Sequence, residues 1–314
     1  LAEQGFKLSP RLHQALLAEN ELINDAVAAS YFYDVQRKPH PVGYVLKNPE
    51  LAAVLRDIAD RGSLALKQGA VAQALVQKVR QHPTRPGSIT LQDLAHYKVK
   101  KREPLCFDHV VQTTGKSFQI CGFPPPNSGA LAIGQILGML NNTPAGKMPL
   151  QQGLPSSEWL HFYTEAARLA FADRAQFVGD PDFVNAPGGN WQTMLHPTYL
   201  QQRSRLIGEK SMKVAQAGNP AEFQTAYAPM PHQEEYGTSH ISVIDPYGNA
   251  VAMTTTIEAV FGSRLMVNTG QGRQGGFLLN NELTDFSFAP TDAKGLPIAN
   301  RVEGGKRPRS SMSP

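Results

Sequence analysis

An α+β fold is what this sequence predicts, and three observations predict it. Apolar residues recur at helical spacing through the first half, short β-rich runs with clustered threonines take over from Gly237, and no strand alternates with the helices. Helices first and strands later argue for stacked layers rather than a doubly wound parallel sheet. A chain of 314 residues is long enough for one large domain or two small ones with an unstapled core. Its 41% hydrophobic and 18% charged residues exclude disorder. No apolar run approaches the ~20 residues of a membrane helix, so no span is expected. The net charge is only +4. The basic run Lys98, Lys100, Lys101, Arg102 lacks interleaved aromatics and reads as a solvated face, so nucleic acid is not an expected partner.

The elements follow in chain order. Pro49 to Asp60 carries Leu51, Val54, Leu55 and Ile58 at helical spacing and ends near Gly62. Val71, Leu75, Val76 and Val79 make a second helix, and Thr90 with Asp93 three residues on opens a third in capping-box spacing. LCFDHVV and SFQIC flank the polar turn QTTGK, the pattern of a hairpin. With Thr113-Thr114 at its tip, Cys106 faces Cys121 and a disulfide is a candidate, which would mark an oxidising compartment. A turn slipped by one residue loses the pairing and leaves two small buried thiols. Neither cysteine belongs to a CxxC, and two cannot make a four-ligand zinc site, so no metal is expected. The three prolines of FPPPNSGA force an extended segment before a helix from Ala130 to Leu140. A long amphipathic helix runs from about Ser156 to Phe177. The glycines of GQGRQG (270–275) satisfy a dinucleotide-binding spacing, but FLLNN after them reads as a strand rather than a helix, so a tight loop is expected. Leu1 is not an initiator Met, the opening LAEQGFKLSP lacks the basic and apolar regions of a signal peptide, and GGKRPRSSMSP stops without a cap. The expectation is a central fragment truncated at both ends.

Residues 237–256 carry the chemistry. Pro246 and Gly248, bracketed by Asp245 and Asn249, make a turn, and centring it on Tyr247 places Thr238 opposite Thr256 at the hairpin's open end. A one-residue bulge would spoil that register. Threonines in strands are ordinary β-formers. The chemical alternative is a nucleophile: a weak hydroxyl needs an adjacent base. Cleavage between Gly237 and Thr238 would supply one as a free α-amino group, of pKa about 7.7–8.0. Gly237, having no side chain, lets the hydroxyl reach the scissile carbonyl.

The stretches PPPNSGA (124–130), EAARLAFADRAQFVGDPDF (165–183), GTSHISVIDPYGNAVAMTTTIEAVFGS (237–263), GFLLNNELTDFS (276–287) and KRPRSSMSP (306–314) resemble, in order, the gamma-glutamyltransferase (gamma-glutamyltranspeptidase) family of N-terminal nucleophile hydrolases. The resemblance implies a four-layer αββα sandwich, incomplete in this chain. It implies a large-subunit-like part over 1–237 and a small-subunit-like part over 238–314, together one domain. Thr238 matches the nucleophile exposed by autocatalytic cleavage after Gly237, and Thr256 the threonine that hydrogen-bonds it. Glu282 and Asp285 match the pair that receives the donor's α-amino group, and Ser310 and Ser311 the serines that hold its α-carboxylate. Such a zwitterionic head group needs carboxylates on one side and donors on the other. Residues 288–305 resemble the lid loop over that pocket.

Four departures bear on the expectation. Glu258 stands where many members have asparagine, which would strengthen cation binding or demand a different substrate group; it is kept as a candidate substrate-binding residue. The stretch 268–276 looks longer than usual. The family's carboxylate-binding arginine and its oxyanion-hole glycines would lie outside the chain. Losing one oxyanion donor costs about 10²–10³ in rate, so the chain alone is expected to be inactive.

The implied activity of the whole protein is gamma-glutamyl transfer or hydrolysis, with glutathione as a donor and an amino acid or water as acceptor. It needs no cofactor, begins as a zymogen that becomes a large/small heterodimer, and is periplasmic or secreted. The alternatives are an acylase on the same scaffold acting on glutaryl or other side-chain amides, and a non-catalytic module that never processes itself.

Overall fold

The computed structural model describes residues 1–222, 225–233 and 237–313. The chain forms two compact units, one of Leu1–Lys100 with Thr256–Asn281, the other of Lys101–Thr255 with Glu282–Pro314. Among the described residues the strands pair two by two, in four antiparallel two-stranded sheets.

In the first unit, helices Pro10–Ala18 and Ala26–Phe32 each start on a side-chain cap, Ser9 and Asp25. Caps of this kind satisfy amide groups that a first turn cannot pair. Pro49–Arg61 runs from Asn48, which accepts from Leu51 N, to Gly62. A further turn, Leu64–Lys67, precedes Ala70–Arg80, and Leu91–His96 has the full Thr90/Asp93 capping box. Leu8, Leu16, Leu22, Phe32, Leu46, Phe261 and Met266 make the core.

The glycine-rich loop lies between the strands Met266–Val267 and Phe277–Leu278. Its anchor is the buried Glu50. Oε1 accepts from Thr269 N (2.8 Å) and Oγ1 (2.5 Å), and Oε2 accepts from Arg273 Nε (2.9 Å). Asn48 adds a pair of hydrogen bonds to Gly276, donating to its carbonyl at 2.8 Å and accepting from its N–H at 2.9 Å. A Cβ on Gly275 would stand 2.2 Å from Asn48 Oδ1, so that position admits only glycine. The strand Phe277–Leu278, not a helix, follows the loop directly, and Gly270 and Gly276 direct their N–H groups at the protein's own side chains.

The second unit is built on helices Gly129–Asn141, Ser157–Phe177 and Pro197–Ser204. All three share a buried polar hub: Asp173 accepts from Arg203 Nη2 (3.0 Å), Tyr199 Oη (2.6 Å), Gln135 Nε2 (2.8 Å) and Gly218 N (2.8 Å). Leu105–Val111 pairs with Lys116–Gly122, with Cys106 opposite Cys121 and the two joined by a disulfide. Arg102 departs from the solvated-face reading. It is half-buried and pairs with the fully buried Asp180 at 3.0 Å, because a carboxylate out of water holds a cation beside it. No helix among the described residues is long and apolar enough to cross a membrane.

Candidate functional site

The hairpin that presents Thr238 is fixed by its turn. Asp245 Oδ1 accepts from Tyr247 N (2.9 Å) and Asn249 N (2.8 Å), and Gly248 takes φ +85°, a region open to glycine. Strands Ser239–Ile244 and Ala250–Thr255 pair from Ile244↔Ala250 to Ser239↔Thr255, without a bulge. Thr238 is the residue just before this ladder. It is exposed, and its hydroxyl donates to the Thr255 carbonyl at 2.6 Å. That bond orients the proton and leaves the oxygen lone pairs free. Sequence reasoning missed His240, whose ring contacts Thr254 Oγ1 (2.8 Å) and Ser242 Oγ (3.0 Å). The alternation Thr238, His240, Ser242, all on one strand face, was the available signal.

Glu282–Asp285 is a single 3₁₀ turn, which sets the two acids three residues apart in a compact step. Gln233 Nε2 donates to the carbonyls of Thr284 (2.7 Å) and Phe286 (3.1 Å), and Asn300 Nδ2 to that of Asp285 (2.7 Å).

The serine segment is braced by two motifs whose purpose the sequence did not disclose. Ser310 N donates to the Pro126 carbonyl (2.9 Å), and the Ser310 carbonyl accepts from Ser128 N (2.8 Å) and Oγ (2.9 Å). Arg174, buried on the long helix, donates its Nε to Ser128 Oγ at 2.8 Å. Asn127 donates to the Met312 carbonyl, and a Cβ on Gly129 would meet Ser313 Oγ at 2.0 Å. PPPNSGA is therefore the cradle of residues 310–313. Ser310 Oγ accepts from Met312 N at 3.2 Å, while Ser311 is exposed.

Thr256 and Glu258 belong to the first unit. Thr256 Oγ1 accepts from Glu258 N at 2.9 Å. Glu258 is buried, takes φ +70°, and its carboxylate accepts from Asn281 Nδ2; Asn281 Oδ1 in turn accepts from Ala259 N at 3.0 Å. Among the described residues no group of three His, Cys, Asp or Glu side chains could hold a metal ion.

The profile of the gamma-glutamyltranspeptidase family matches residues 1–314. A glutathione hydrolase proenzyme of Bacillus subtilis (strain 168) is 34% identical over 321 residues, covering 100% of this chain and 50% of the relative. An acylase ACY 1 proenzyme of Pseudomonas sp. (strain SE83) is 30% identical over 315 residues, again 100% of this chain and 50% of the relative. Among solved structures, cephalosporin acylase from Bacillus halodurans superposes with a TM-score of 0.74 at 22% identity, over 98% of this chain and 50% of the acylase, a likeness of fold. The chain spans about half the length of the curated relatives it matches.

Proposed function

The chain belongs to the gamma-glutamyltranspeptidase family and shares its α+β N-terminal nucleophile hydrolase fold, and from that premise we propose that the whole protein transfers or hydrolyses gamma-glutamyl groups through Thr238. The observation that carries this reading is Thr238 itself, exposed directly after Gly237 with its hydroxyl already oriented on the Thr255 carbonyl. Cleavage of the Gly237–Thr238 bond divides the chain into a large-subunit part, 1–237, and a small-subunit part, 238–314, and frees the α-amino base.

The hydroxyl oxygen then attacks the gamma-amide carbonyl of a donor such as glutathione. An ester bond forms, the amide C–N bond breaks, and the hydroxyl proton passes through the α-amino group to the departing amine. Water or an amino-acid amine then attacks the ester and restores Thr238. Glu282 and Asp285 receive the donor's α-ammonium, and Ser310 and Ser311 its α-carboxylate. Thr256 hydrogen-bonds the nucleophile. Relatives that are proenzymes support the processing step, and an exported, disulfide-bearing protein fits this chemistry.

Intact-mass measurement of the full-length protein is the direct test. The wild type should give two chains parting at Gly237–Thr238, and Thr238→Ala a single chain without gamma-glutamyl p-nitroanilide turnover. Cleavage or turnover that survives Thr238→Ala refutes the proposal. A second reading, amide hydrolysis of glutaryl-type side chains, is favoured by the acylase relative. Faster turnover of glutaryl p-nitroanilide than of the gamma-glutamyl compound would decide for it.

A further inference from the structure

Asn300 is 1% exposed and touches both halves of the proposed head-group site. Its Nδ2 donates to the Asp285 carbonyl at 2.7 Å, at the end of the acid turn, and its Oδ1 accepts from Arg309 N at 2.8 Å, the residue before Ser310. Its own carbonyl accepts from Ser287 N at 2.9 Å. One amide therefore spans the gap between the carboxylates and the serines, and its planar, short side chain tolerates little change in that gap. Met230 Sδ is a further, weak acceptor beside it, taking hydrogen bonds from Asn300 Nδ2 (3.5 Å) and Arg309 Nη2 (3.2 Å). Beside this link, Gln233 braces the acid turn and Ser128 the serine segment.

We propose that Asn300 is a positioning residue that fixes the distance between the Glu282–Asp285 turn and the Ser310–Ser311 segment, and thereby the preference for an acyl group bearing both an α-ammonium and an α-carboxylate. This rests on the gamma-glutamyl reading above. A gamma-glutamyl group has to be gripped at both charged ends at once, whereas a glutaryl group has only the carboxylate. Displacing the acid turn relative to the serines therefore penalises the first substrate more than the second.

The test compares the full-length wild type with Asn300→Asp and Met230→Leu on gamma-glutamyl and glutaryl p-nitroanilide, with thermal unfolding and self-processing as checks of folding. In Asn300→Asp an oxygen faces the Asp285 carbonyl where a donor stood, while the acceptor for Arg309 N is kept. Losing that one buried bond should raise KM for the gamma-glutamyl substrate about tenfold. KM for the glutaryl substrate should change less than about twofold, with kcat for both nearly constant, since Thr238 is untouched. Met230→Leu removes only the weak sulfur acceptor on the same Nδ2, keeps the bonds of Asn300 to the Asp285 carbonyl and Arg309 N, and should leave the ratio of the two substrates unchanged. Should Asn300→Asp not fold, Asn300→Ser, whose hydroxyl can serve only one of the two partners, carries the same comparison.

Equal changes on both substrates, no change on either, or an equal shift of the ratio in Met230→Leu would overturn the proposal. A wild type that prefers the glutaryl compound refutes the gamma-glutamyl reading instead. The role of Asn300 then stands only if its variant still moves the ratio further toward glutaryl. A wild type that turns over neither substrate removes both.

Discussion

Among the described residues, nothing beyond its chain neighbours lies within 4 Å of where a Cβ on Gly237 would stand, so their packing imposes no glycine there. The demand for glycine is chemical: for self-cleavage the Thr238 oxygen must approach the Gly237 carbonyl closely and along a defined line. Gly237→Ala should therefore leave thermal unfolding unchanged while slowing self-cleavage of the full-length protein about 10- to 100-fold, the order expected for a misplacement near 1 Å. A time course of subunit formation by mass measures it, and cleavage at the wild-type rate contradicts it. Glu258 shows the reverse relation between residue and place. Its φ of +70° is a region where asparagine sits more comfortably than glutamate, a backbone reason for the asparagine that the family resemblance leads one to expect there. The sequence showed the departure but not its cause, because a left-handed backbone leaves no mark when the residue is not glycine or asparagine.

At the scale of elements, the Glu50 knot makes a pH prediction with a definite sign. Burial pushes the Glu50 carboxyl up, but the hydrogen bonds from Thr269 and Arg273 outweigh it and hold the group below its ordinary 4.5. A carboxyl lowered by folding stabilises the protein above its unfolded value, and that stability is lost as the pH falls below about 4.5 and through the folded value. Glu50→Gln should lower stability near neutral pH and flatten its decline in acid, as read by urea unfolding at several pH values. An unchanged pH profile would contradict the assignment. The elements most legible in the sequence are those with caps and long apolar periodicity: Pro49–Arg61, Ala70–Arg80, Leu91–His96, Gly129–Asn141 and Ser157–Phe177. The turn Leu64–Lys67 and the helix Pro197–Ser204 are too short for a periodic signal. The second of these is held by the Asp173 hub, which joins residues far apart in the chain and so has no local pattern.

For the whole molecule, the threonine hairpin is the most telling element. Ile241, Val243, Ile244, Val251 and Met253 are all exposed on it, from both faces of a two-stranded ribbon. Apolar edges of this kind seek partners. The 314-residue chain by itself should self-associate with rising concentration, and Ile241→Lys with Val251→Glu should suppress this in sedimentation velocity; a monomeric wild type at high concentration would disprove it. The candidate site was legible as a set of residue types through the family resemblance. Its scaffolding was not, because Asn300 and Ser128 act through bonds to backbone carbonyls, and Arg174 through the Ser128 hydroxyl 46 residues away, which no local spacing of side chains reveals. The clasp between Asn48 and Gly276 joins positions on opposite sides of the Gly237–Thr238 bond. In an uncut chain, a denatured molecule regains that clasp by closing a loop within itself. In a severed one it must find the other piece by diffusion, so recovery from denaturant becomes second order, and dilution alone would be enough to defeat it.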